Sequence, residues 1–121
     1  MHATASLIGR ILLSAIFIAA GVNKILSYDG TLGFMASYGV PGALLPAVIA
    51  LELLGGIAIL AGVYARWVAL ALAIFTLVAA AIFHSNFADP IQIAMFMKNV
   101  AIAGGLLLLF ANGAGRYAIR D

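Results

Sequence analysis

Glu52 stands in a stretch that is otherwise hydrocarbon. Residues 47–62 read AVIALELLGGIAILAG, and Glu52 is their one polar side chain. Extended back to Leu44, the stretch is about 19 residues, enough for one membrane-crossing helix. A carboxylate inside such a helix is costly, so it must face other helices or a cavity and find a partner. It can do one of two things. It can move a proton or polarise a ligand, or it can lock helix register as half of a buried ion pair. On a helix, Glu52, Gly55, Gly56, Ile59 and Gly62 share one face, small and singly charged.

The partners come from depth. At 1.5 Å per residue, Glu52 lies ~12 Å and Lys98 ~10 Å below one edge, while Arg10 lies ~8 Å from the opposite edge. Lys98 is therefore the expected partner of Glu52 and Arg10 the second candidate. Lys24, Asn23, His84 and Asn99 gather towards the Glu52 side, so that half of the bundle is expected to be polar inside. Lys24 and Asn23 suit an anionic group or simple snorkelling at a helix end. His84 suits a hydrogen bond to a ligand carbonyl or a pH-sensitive role. These residues, with Glu52, Lys98 and Arg10, form the candidate ligand-binding set, with Glu52 the candidate proton carrier.

The elements that must hold them follow from composition. The chain is 66% hydrophobic and 8% charged, against about 25% charged in soluble domains. This is an all-α integral membrane protein, one domain over residues 1–121. Four spans are expected, at about 5–24, 44–62, 67–83 and 91–110. The first carries Arg10, Ser14, Phe17, Gly21 and Lys24 on one face, so it should line the bundle interior. Residues 27–40 are broken by glycines and predict a short interfacial helix between spans 1 and 2. In that helix Asp29 caps the start, Leu32, Phe34, Met35 and Tyr38 face the membrane, and Gly39 and Pro41 end it. Span 3 offers Ala69, Ala73, Thr76 and Ala80 as a packing face, and Pro90 opens span 4. Gly55-Gly56 and Gly104-Gly105 read as close-packing positions. The first apolar run lacks a basic leader and a small-residue cleavage site, so it reads as a retained span. Arg10, Arg66, Arg116 and Arg120 share one side, which by the positive-inside rule places both termini in the cytoplasm.

Several chemistries are excluded. Cysteine is absent, so there is no thiolate catalysis or cysteine-held cluster. His2 and His84 fall on opposite sides, so no bis-histidine haem or other metal site is expected. A net charge of +2 without a basic run argues against nucleic acid.

Arg10, FIAAGVNKI (17–25), ELLGGIAILAG (52–62), Arg66, FHSNFADP (83–90), MFMKNVAIAGGLLLL (95–109) and GAGRY-x-x-x-D (113–121) resemble the DoxX family of small bacterial inner-membrane proteins. The resemblance spans nearly the whole chain. It implies a four-helix membrane fold and a place in quinone, thiol or oxidative-stress metabolism. A quinone-like ligand, not an intrinsic cofactor, would then occupy the polar site, with a redox partner protein supplying electrons. The alternative is a non-catalytic membrane anchor, assembly subunit or small-solute carrier, for which the ion pair is structural. A proton-coupled carrier would need a homo-oligomer, which the glycine faces permit. Whether the protein is an enzyme is left open by the residues.

Overall fold

The computed structural model describes residues 2–119. Met1, and Arg120 and Asp121 at the close of the last motif, lie outside the described residues. Five α-helices follow in order: α1 (His2–Leu26), α2 (Tyr28–Ser37), α3 (Leu45–Ala61), α4 (Ala65–Phe83) and α5 (Pro90–Asn112). A single 3-10 turn, Gly42–Leu44, leads into α3. Helices α1, α3 (with its 3-10 turn), α4 and α5 are long and apolar enough to cross a membrane.

Neighbours in the bundle are set by small residues. Helix α1 packs along α3, α3 on α4 and α4 along α5, with a lighter α1–α5 contact closing the ring. Helices α3 and α5 are therefore diagonal. Helices α1 and α3 approach closely at two glycines. A Cβ on Gly21 would lie 2.6 Å from the Leu53 side chain, and one on Gly56 would lie 2.7 Å from Ile18 Cγ1 and 3.2 Å from its backbone nitrogen. Only glycine lets these backbones meet. Gly56→Ala must push α1 off α3 and should destabilise the bundle by about 1–3 kcal/mol. Gly104→Ala, whose Cβ meets nothing within 4 Å, should be near neutral. Unfolding in a denaturing-detergent titration reads the difference. The two glycine pairs are thus not equivalent. Gly55 and Gly56 are packed, Gly105 only touches Leu13 at 3.4 Å, and Gly104 is open.

The helix faces read from periodicity point inward. Glu52, Gly55, Gly56, Ile59 and Gly62 are buried, as are Arg10, Ser14, Phe17 and Gly21, and as are Ala69, Ala73, Thr76 and Ala80. The outward side chains, among them Leu12, Leu54, Ile74 and Leu108, form the lipid-facing surface of a membrane bundle.

The connections are short and chemically specified. Gly62, at φ 75°, ends α3 in the left-handed region, and α4 starts three residues later at Ala65. Asp89 caps α5 by accepting from the Ile91 N–H at 2.9 Å, and Pro90 is its first residue. Helix α2 departs from expectation at two points. Its N-cap is Ser27 without a side-chain cap bond, and Asp29 sits inside the first turn, where it complements the helix dipole. Met35 turns into the bundle. Phe34 and Tyr38 pack on Phe83 of α4, with ring centroids 5.2 and 5.1 Å apart. Aromatic contact with α4 draws this helix across the end of the bundle.

Candidate functional site

Beneath α2, in the half of the bundle that holds Glu52, lies a cavity of about 650 Å³. Every long helix contributes to it. Asn23 and Lys24 come from the last turn of α1, Glu52 from the second turn of α3, Thr76 from mid-α4, and Lys98 and Asn99 from α5. His84, at the end of α4, also lines it, while Phe34 and Met35 of α2 close the top. Six of the seven candidate residues thus share one space. The exception is Arg10.

Glu52 pairs with Lys24. The ammonium lies 2.9 Å from Oε1 and 3.2 Å from Oε2, and only the second contact has hydrogen-bond geometry. This corrects the expected pairing with Lys98 or Arg10. The register explains it. Gly21 stands opposite Leu53 and Ile18 opposite Gly56, so one more turn of α1 brings Lys24 beside residues 50–52. Lys98 matches Glu52 in depth but sits on the diagonal helix, and it is exposed. Lys24 does not simply snorkel outward. Its head reaches the buried carboxylate on the neighbouring helix.

Arg10 does different work at the other end. Its Nη1 donates to the carbonyls of Ile59 at 3.1 Å and Leu60 at 3.0 Å, and its Nη2 donates to the Tyr117 carbonyl. Here a cation meets the carbonyl end of α3, where the helix dipole is negative. The Ile119 N–H donates to the Ala61 carbonyl at 3.0 Å, so the tail after α5 is bound to the same helix end. Arg66 fastens the neighbouring corner, with Nε donating to the Phe110 carbonyl at 2.9 Å, and Trp67 packs edge-on against Phe110.

Two buried oxygens in the cavity wall accept no hydrogen bond among the described residues: Glu52 Oε1, which keeps its ionic contact with Lys24, and Thr76 Oγ1, which has none. Leaving a buried hydroxyl unpaired costs about 1–3 kcal/mol, so Thr76 Oγ1 is a place where a ligand or water gains by binding. The Asn99 amide donates weakly to the Thr76 carbonyl at 3.4 Å. His84 Nδ1 lies 2.9 Å from Gln92 Oε1, which occupies one ring nitrogen and leaves Nε2. The sequence pattern marks Thr76 only as a packing residue. The signal was present, because a hydroxyl on an otherwise alanine face needs a partner as a methyl would not. No group of three or more acidic, histidine or cysteine side chains that could hold a metal occurs among the described residues.

The DoxX family profile matches residues 5–85, which covers α1 to α4. The chain belongs to the DoxX family. It is 52% identical to inner membrane protein YqjF of Escherichia coli strain K12 over 93% of this chain and 87% of that protein. It is 38% identical to inner membrane protein YphA of the same strain, over 93% of this chain and 86% of that one. No solved structure matches significantly. With relatives of the inner membrane and four apolar helices, this DoxX protein is a multi-pass inner-membrane protein.

Proposed function

We propose that the cavity of this DoxX protein binds a lipid-soluble ligand with a polar head, of quinone type, in the service of membrane redox or oxidative-stress metabolism. The observation that carries the reading is a buried hydroxyl without a partner among the described residues, Thr76 Oγ1, sharing the wall of a largely apolar cavity with the buried Glu52 carboxylate and its Lys24 counter-ion. The size fits, since pockets for small molecules run about 300–1,000 Å³. So does the chemistry. Phe17, Phe75 and Phe83 offer aromatic surface for a ring. Thr76, Asn99, Lys24 and Lys98 offer donors to ring oxygens, and Glu52 offers an acceptor to a ring hydroxyl. A bound quinone supplies the electron-accepting chemistry. The residues of this chain hold and orient it, and Glu52 holds or passes the proton. Electrons come from a partner protein or substrate. The end bearing Arg10, Arg66 and Arg116 faces the cytoplasm in this reading, as the positive-inside rule requires.

The test is a thermal-shift titration of the detergent-solubilised protein with a short-chain quinone. The wild type should be stabilised in proportion to ligand. Glu52→Gln should fold, because Lys24 is partly exposed and can reach water, but should lose at least tenfold in affinity, the loss of about one charged hydrogen bond. A Glu52→Gln protein that binds as well as the wild type sinks the proposal.

The Lys24–Glu52 pair favours a second reading, a non-catalytic anchor or assembly subunit in which the pair only fixes the α1–α3 register. That reading expects no ligand in the cavity.

A further inference from the structure

A second cavity, of about 760 Å³, lies at the arginine end between α1 and α5. We infer that it binds the head group of an anionic phospholipid, independently of what the first cavity holds. The walls come from Ser6, Gly9, Arg10 and Leu13 of α1, from Leu108 and Asn112 of α5, and from Gly115 and Arg116 of the turn beyond it.

Charge makes the case first. The basic residues described at this end are Arg10, Arg66 and Arg116, while the described acidic residues, Asp29, Glu52 and Asp89, all belong to the opposite half. Two of these three arginines line the cavity. Arg10 is 1% exposed, and its Nε–H is buried with no partner among the described residues. Its other nitrogens are spent on carbonyls at the negative end of α3 and of the tail, and no carboxylate pairs with it among the described residues. Arg116 is exposed and makes no hydrogen bond or ion pair among the described residues.

Shape makes the case second. The α1–α5 contact is the lightest in the ring, and Gly9 places no side chain into the seam. The Ser6 hydroxyl and the Asn112 amide add neutral hydrogen-bonding groups to the rim. Leu108, 66% exposed, lines the cavity and presents apolar surface beside its polar groups. A phosphodiester between two arginines, with its chains lying along leucines, satisfies both halves of this seam. Basic pockets between membrane helices on the cytoplasmic side bind acidic head groups in the same way.

The experiment is binding of phosphatidylglycerol, phosphatidylcholine and inorganic phosphate to the purified full chain. Native mass spectrometry reads stoichiometry, and the unfolding midpoint reads affinity. One phosphatidylglycerol should bind per chain and raise the midpoint, while phosphatidylcholine at the same concentration should not. Arg116→Gln should bind about fivefold more weakly, the effect of one basic residue at a membrane surface. Arg66→Gln, outside the cavity, should bind as the wild type does. Equal binding of the two lipids overturns the inference, and so does an Arg116→Gln protein indistinguishable from the wild type. Equal losses in the two arginine variants would show only the general charge of this end, and would overturn it too. A full midpoint shift from inorganic phosphate alone would make this a free-anion site and refute the lipid assignment.

Discussion

Lys24→Met should destabilise the bundle by about 3–5 kcal/mol, the cost of leaving a buried carboxylate without its countercharge. Glu52 is 4% exposed and has no second cation within salt-bridge distance among the described residues. The reverse change is milder. In Glu52→Gln the stranded group is an ammonium on a long stem, with 27% of its side chain exposed, and it can turn to water. The two halves of one ion pair should therefore differ sharply when removed. The double change Lys24→Met, Glu52→Met should recover most of the loss, because an apolar pair of similar volume needs no desolvation. Lys98→Met should be near neutral. Denaturing-detergent titrations of the four variants decide it. Equal losses for Lys24→Met and Lys98→Met would mean that Lys24 is not the partner.

Arg10→Met should cost about 3 kcal/mol and free the tail. It removes charged donors from the carbonyls of Ile59, Leu60 and Tyr117 and leaves the end of α3 without its cation. Arg10→Lys should rescue little, because one ammonium cannot span three carbonyls as a guanidinium fork does. The readout is trypsin cleavage after Arg116, expected to be slow in the wild type and fast in both variants. Unchanged cleavage in Arg10→Met would show that the tail is held without the guanidinium.

Periodicity was enough to place the inward faces of α1, α3 and α4, because a membrane helix must turn its small and polar residues away from lipid. It also gathered Asn23, Lys24, Glu52, His84, Lys98 and Asn99 at one end, since a residue's depth follows from its place in a span. Depth could not choose between Lys24 and Lys98. That choice depends on which helices are neighbours, and it was made by Gly21 and Gly56 bringing α1 against α3. Arg10 was misplaced for a related reason. Its partners are backbone carbonyls, which every residue has and no sequence pattern marks. Helix α2 is legible as a short helix between the first two spans, but its contact with α4 is not. The Phe83 ring against which Phe34 and Tyr38 pack is distant in sequence. Thr76 passed for packing because a threonine and an alanine serve a small-residue face equally until the hydroxyl is left without a partner.

The central claim is that the Glu52 cavity holds a ligand. Mass spectrometry of small molecules that leave the membrane with the gently solubilised protein tests it most directly, with the wild type beside a folded Glu52→Gln. The account predicts a quinone-type molecule, near one per chain, in the wild type and its loss from the variant. The same small-molecule content in both, or no molecule in either alongside a reproducible protein partner, would contradict it and leave the Lys24–Glu52 pair as a device for holding two helices in register.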